Sequence, residues 1–216
     1  MKSARPPLSL DRIITAAVAL ADREGLDQLS MRRLGAELGV EAMSLYHYVG
    51  SKDELLDRML DQVIAEIALP PEGESWWQQL WLLAHEFRNC GRRHPGVLPL
   101  FGARAIRSVE AFAPLERAYA VLRRNGLEPA AALDSVVTLA SFVFGFALIE
   151  PGGIRDVLEG RTVDFAHLDT EHPDLLEMGS VFVERDPDEQ FSQGLRVVLR
   201  GIGAALGEQT TSIEPR

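Results

Sequence analysis

The residues whose types and spacing could do chemistry in this chain fall into four groups. Cys90 and His94 stand four apart, which on a helix sets a thiol beside an imidazole, the start of a nucleophilic pair. No third group is spaced to orient the histidine and an isolated buried cysteine is inert, so no catalytic residue is assigned. Asp164, His167, Asp169, Glu171 and His172 crowd one polar stretch, but they form neither a His-Glu-x-x-His nor a paired-cysteine spacing, and such residues in a loop are simply solvated. Gly-x-Gly-x-x-Gly and phosphate-cradling loops are missing too, so neither a metal nor a cofactor is expected. The third group is aromatic: Trp77, Trp81, Phe87, Phe101, Phe112, Tyr119, Phe142 and Phe146, with His85 as the polar exception, come from several helices whose mutual gaps suit an apolar ligand. Core packing accounts equally well for any one of them. The fourth runs from Glu41 to Tyr48. Ala42, Met43, Ser44, Tyr46, His47 and Tyr48 point outward there, while Leu45 and Val49 point in. A helix with that many small, hydrogen-bonding and aromatic tips suits a DNA major groove.

The elements that must hold this helix are legible on both sides of it. Ser30 caps a helix carrying Met31, Leu34 and Leu38 on one face, and Gly39 stops it. Val40 leads into the second helix, Glu41 to Tyr48, which makes a helix-turn-helix. A preceding helix runs from the Ser9 cap to Gly25, with Ile13, Ala16, Ala17, Leu20 and Ala21 on one stripe, and closes a three-helix core with Leu26, Leu29, Leu34 and Leu45. Ser51-Lys-Asp-Glu54 is a capping box opening a helix from Lys52 to about Leu69. These features predict a DNA-binding domain over 1–50 and a connecting helix over 51–69.

Pro70-Pro71-Glu-Gly-Glu-Ser75 is the clear break in composition, and helices follow to the end. They are expected at Ser75–Arg93, in a shorter proline-punctuated piece at Pro95–Ala105, at Pro114–Asn125, at Pro129–Ile149 and at Asp188–Leu206. Residues 154–174, interrupted by Pro173, read as a loop, and residues 208–216 as a frayed tail. The fold class is all-α, with 70–207 as a helical bundle. Gly194, Gly201, Gly203 and Ala204 on the last helix would admit another helix closely.

The run Leu-Gly-Val-Glu-x-x-x-Leu-Tyr-x-x-Val (Leu38 to Val49), followed by Ser51-Lys52, resembles the DNA-binding domain of the tetracycline repressor family of bacterial transcription regulators. Pro70-x-Glu-Gly-Glu-Ser-Trp76, the Phe87-Arg88 pair and the apolar helix after Gly126 are similar to the regulatory domain of the tetracycline repressors themselves, so the likeness covers most of the chain. The resemblance implies that Arg32, Ser44, Tyr46, Tyr48 and Lys52 reach phosphates, with Arg33 and Glu41 at the same surface, and that Ala42, Met43 and His47 lie on base edges. It implies a homodimer built on the apolar helix and the last helix, through Phe142, Gly145, Leu195, Val198, Leu199 and Ile202. Those repressors hold a metal-chelated drug with an asparagine and a histidine, at whose places this chain has Leu83 and Phe101. Only Phe87 and Glu150 are kept, which argues for a more apolar, metal-free effector.

Composition sets the remaining bounds. The 216 residues, 46% hydrophobic and 25% charged with one cysteine, fit a soluble globular protein of the cytoplasm, and Met1–Pro7 is no secretory signal. The run Val136–Ile149 reads as too short to span a bilayer, so no membrane is expected. A net charge of −10 argues at first against nucleic acid. Residues 1–68 carry eight Lys or Arg against eleven Asp or Glu, yet Lys2, Arg5, Arg32, Arg33 and Lys52 lie at the arm or the edges of the motif, while Asp53, Glu54, Asp57 and Asp61 sit on a helix that can turn away. The expected function is a ligand-responsive repressor that binds palindromic double-stranded operator DNA as a homodimer and is not an enzyme. The competing readings are a helical protein-interaction module and an all-α enzyme acting on a hydrophobic substrate.

Overall fold

A computed structural model describes residues 7–150 and 173–207, and every regular element among them is helical. The chain forms two compact units, 1–69 with 89–117, and 70–88 with 118–216. The sequence reading had put 89–117 in the regulatory domain, whereas these residues pack with the N-terminal helices.

In the first unit α1 (Leu10–Glu24) starts at Ser9, whose hydroxyl accepts from the Arg12 amide at 3.3 Å, and ends at Gly25 with φ 90°. After a short 3-10 turn come α2 (Met31–Leu38), capped by Ser30, and α3 (Ala42–Tyr46). Gly39 takes φ 71°, a left-handed conformation that a side chain would strain, and closes α2. Gly35 permits the close turn: a Cβ there would lie 2.8 Å from the Val40 carbonyl oxygen. Ile13, Leu20, Leu29, Leu34, Leu45, Val49, Leu55 and Met59 are fully buried in this unit. At about 2–5 kcal/mol for each large-to-alanine truncation, such a core supplies most of what holds so small a reader together.

The helix α3 is shorter than the expected Glu41–Tyr48. Its cap is Glu41, with no side-chain hydrogen bond, and residues 47–49 turn, which sends Val49 back into the core. The following helix α4 (Lys52–Ala65) is capped by Ser51, whose hydroxyl accepts from the Glu54 amide at 3.0 Å. The Glu54 carboxylate accepts from Gly50 rather than from the cap's own amide. The helix α4 ends four residues before the expected Leu69, in a tighter turn in which the Glu66 amide donates to the Val63 carbonyl and the Ile67 amide to the Ile64 carbonyl. Residues 89–117 add the last turn of α5 (Trp76–Arg93), the one-turn α6 (Leu100–Ala103), a 3-10 turn at Glu110–Phe112 and the start of α7 (Ala113–Arg124).

In the second unit the first part of α5 begins with a box in which Ser75 Oγ accepts from the Gln78 amide at 3.2 Å. The helix α8 (Pro129–Ile149) has its proline in the first turn, where a missing amide proton costs nothing, and packs along α10 (Pro187–Ala205). Between them in the chain comes α9 (Pro173–Glu184), an element the sequence reading missed. Pro173 opens that helix instead of interrupting a loop, and the rest of the expected 154–174 loop lies outside the described residues, as does the 208–216 tail. The run Val136–Ile149 is part of the longer helix α8, which at 21 residues is long and apolar enough to cross a membrane by length and composition alone, as the core helix of a bundle also can be.

Candidate nucleic-acid interface and ligand core

The helix α3 presents the surface the sequence predicts. Leu45 and Val49 are buried, Ala42 and Ser44 are half-buried, and Glu41, Met43 (69% exposed), Tyr46, His47 and Tyr48 are exposed. The cations around it differ in kind. Arg33 is held by the Glu24 carboxylate and donates to Gln28 Oε1 at 2.9 Å, so it is already neutralised. Arg32 and Lys52 are exposed and have no carboxylate partner among the described residues. The Tyr48 hydroxyl donates to the Leu8 carbonyl at 3.1 Å, which uses its one proton to fix the start of α1 against the reader.

The acids of α4 are covered by two arginines that the sequence reading did not pair with them. Arg104 donates through Nε to the buried Asp57 carboxylate and through its terminal nitrogen to Asp53 Oδ1 at 3.1 Å and to the Asp53 carbonyl at 3.0 Å. Arg107 Nε reaches the other Asp57 oxygen at 2.7 Å, and its amide donates to Asp61 Oδ1 at 3.2 Å. The bond to Asp57 raises the guanidinium of Arg104 above its usual pKa despite partial burial. Asp53, Asp57 and Asp61 lie one helical turn apart, a stripe that needs cations when it faces protein, and that was the available signal. Cys90 and His94 form no dyad: the thiol donates to the Val63 carbonyl at 3.2 Å, while Asp22 and Glu66 occupy the two ring nitrogens. The histidine does have orienting groups, from residues too distant in the chain to be paired by spacing.

The second unit contains a continuous aromatic core. Trp77, Trp81 and His85 follow one face of α5, with ring centroids 6.4 and 4.8 Å apart, and His85 meets Phe191 of α10 edge-on at 5.0 Å. Phe191 stacks on Phe142 at 5.6 Å and meets Phe146 at 5.2 Å, both from α8. Sequence reasoning placed five of these six rings and did not include Phe191. Gly194 lets α10 approach, since a Cβ there would stand 2.7 Å from the Phe142 ring. The buried Trp77 indole N–H has no acceptor among the described residues. Arg88, 2% exposed, binds Glu150 through two bonds of 2.9 and 2.7 Å, donates to the Pro187 carbonyl at 3.1 Å, and lies 2.9 Å from Asp188. Its guanidinium is 4.6 Å from the Phe191 centroid and 5.1 Å from that of Phe146, so one buried cation ties α5, α8 and α10 together. Phe87 and Tyr119 are half-buried. Phe101, half-buried, and Phe112, exposed, belong to the first unit.

The expected dimer residues need revision. Leu195, Leu199 and Ile202 are buried inside the single chain and are unavailable to a second copy. Phe142 packs against α10 of its own chain, and Val198 and Gly145 are half-buried. The stripes left open are Leu133, Val137, Ser141 and Leu148 on α8, and Gln193, Val197, Gly201 and Ala204 on α10.

Comparison with known proteins decides what these parts belong to. The family model "Bacterial regulatory proteins, tetR family" matches residues 13–59, and "Tetracyclin repressor-like, C-terminal domain" matches residues 69–206. The chain belongs to the TetR family. Among TetR-family relatives, the HTH-type transcriptional repressor DrrR1 of Streptomyces coeruleorubidus is 40% identical over 66% of this chain. The chain spans about half, 54%, of that relative's length. Apo ActR from Streptomyces coelicolor superposes with a TM-score of 0.80 at 33% identity, covering 94% of this chain and 99% of its own. ActR in complex with actinorhodin gives 0.79 at 32% identity, covering 94% and 100%. A TetR-family chain of this architecture is a transcription regulator.

Proposed function

We propose that this regulator is a homodimeric repressor that holds a palindromic operator and leaves it when a small, mostly apolar effector enters the second unit. The carrying observation is the exposed face of α3, set between Arg32 and Lys52, the two cations of the reader edge that no carboxylate neutralises among the described residues. Arg32, Ser44, Tyr46 and Lys52 supply phosphate contacts, and Ala42, Met43 and His47 meet base edges, chiefly by apolar contact such as to a thymine methyl. Tyr48 acts by fixing Leu8. So few cations bind weakly alone, and two readers on one rigid dimer add their contacts, with half-sites spaced near a multiple of about 10 base pairs. The open stripes of α8 and α10 support the dimer, because an apolar helix face of that length is not left to water. A regulator that reads genomic DNA works in the cytoplasm, and its family likeness supports a non-enzyme.

The ring core supports an aromatic effector, and the unpartnered Trp77 indole would be satisfied by an oxygen acceptor on it. ActR, with its actinorhodin complex, is a related precedent. Leu83, buried, cannot replace the asparagine of the tetracycline repressors, and Glu150 is engaged by Arg88, which supports a metal-free ligand. Release requires that the effector bind the non-DNA conformation better. Arg104 and Arg107 grip α4, the helix that carries the reader, and offer the route by which a shift at the Pro95 to Ala105 piece moves it. The test is a titration of hydrophobic polycyclic compounds with tryptophan fluorescence and operator binding followed together. Quenching and operator release should share one midpoint. Compounds that quench Trp81 but leave DNA affinity untouched would show that the ring core is not the sensor.

A further inference from the structure

His94 follows directly on α5 and joins three parts of the first unit. Its Nδ1 lies 2.7 Å from Asp22 Oδ2, in the last turn of α1, and its Nε2 lies 2.9 Å from Glu66 Oε2, the residue that caps the C-terminal end of α4. The other Asp22 oxygen accepts the Gly96 amide at 3.0 Å. Gly96 is pressed so closely on α1 that a Cβ would run into the Ala21 backbone, so the loop after α5 packs directly on the end of α1.

A neutral imidazole has one N–H and one lone pair. Between two carboxylates it can satisfy one oxygen and must turn its lone pair on the other, whereas an imidazolium donates to both. Only the protonated ring makes both of these contacts favourable. Burial works against the charge, and the hydrogen bonds to Asp22 and then to Glu66 outweigh it, so the pKa is raised above the ordinary 6.5. The groups facing the ring are Asp22 from α1 and Glu66 from α4. Arg92 and Arg93 on its own helix are exposed, and Arg23 and Glu24 of α1 are paired with each other and with Glu37 and Arg33.

We propose that His94 is a proton-operated latch: protonated, it clamps the C-terminal ends of α1 and α4 to the loop after α5, and neutral, it lets the Glu66 end of α4 go. Loss of one proton to solvent leaves one N–H for two carboxylates, and the exposed Glu66 is the partner that departs. The clamp is complete at pH below the ordinary imidazole value and is lost as pH rises through the elevated pKa of the folded protein. The helix α4 carries the reader, so operator affinity falls over the same range. This consequence rests on the DNA-binding reading above, and the latch itself does not.

The full-length protein is the sample throughout. An NMR titration of the His94 ring should give a midpoint above 6.5. Between about pH 6 and about pH 8.5, at constant ionic strength and in a His47→Gln background, operator affinity of the parent should fall about threefold to tenfold. His94→Gln, which cannot charge, should be flat and weak across that range. Glu66→Gln, an exposed change that leaves folding intact, should lower the His94 midpoint and shrink the pH effect, and it carries the test if His94→Gln does not fold. Equal pH dependence in parent and variants, or a His94 midpoint at or below the ordinary value, overturns the latch. If operator is bound at no pH while thermal unfolding of the parent, and not of His94→Gln, weakens as pH rises, the latch stands and the DNA-binding reading falls.

Discussion

At the scale of residues, neighbours decide which cations can serve DNA. Arg32 and Lys52 have no carboxylate partner among the described residues, so alanine at either should weaken operator binding uniformly across sequences and reduce the salt slope by about one. Arg33→Ala should cost much less affinity, because the Glu24 carboxylate already neutralises that guanidinium. Gel-shift titrations at several salt concentrations separate the two cases, and an equal loss for Arg33 would show that Glu24 releases it on DNA. The exposed tips of α3 follow from helical periodicity, since Leu45 and Val49 turn inward and the outward positions, Met43 apart, are small, polar or aromatic. The partners of Arg33, Tyr48, His94 and Arg104 do not. They are separated by 9, 40, 72 and 47 residues, and spacing reports only on neighbours within a helical turn or two.

At the scale of elements, α4 is held on two sides. Its core side is Leu55, Met59, Leu60 and Val63, and its other side is an acid stripe under Arg104 and Arg107. Removing Arg104 leaves Asp57 buried with one partner fewer, so Arg104→Ala should destabilise by about 1–2 kcal/mol, less than a fully buried pair because Arg107 remains. Asp57→Asn added to it should recover part of the loss, measured by urea unfolding. Gly96→Ala should cost about 1–3 kcal/mol, as the added methyl displaces backbone rather than a pliable side chain. The last helix shows what periodicity leaves open. Leu195, Leu199 and Ile202 form a proper apolar stripe, and they are buried by their own chain, while the milder stripe through Val197, Gly201 and Ala204 faces out. Hydrophobicity says that a face is covered, not by which copy. The helix at Pro173–Glu184 escaped for a related reason: its proline was read as a break although a first-turn proline begins a helix.

At the scale of the whole molecule, an acidic chain of net charge −10 binds DNA only if its charge is arranged. The acids Asp53 and Asp57 of α4 are paired with Arg104 and Arg107, and Arg32 and Lys52, which have no carboxylate partner among the described residues, stand at the reader's edge. In the proposed homodimer two such footprints add. Val197→Asp or Val137→Asp, on open stripes, should give monomers by sedimentation that no longer hold operator, whereas Leu199→Asp should unfold the second unit. Monomers from neither surface change would place the interface elsewhere. The most direct test of the account is a gel shift of the purified protein with the DNA upstream of its own gene, run from low to moderate salt. A salt-sensitive complex that outlasts excess nonspecific DNA, protects an inverted repeat and is abolished by Lys52→Ala with Arg32→Ala is the predicted result. Absence of a sequence-preferring complex at every salt concentration would contradict it.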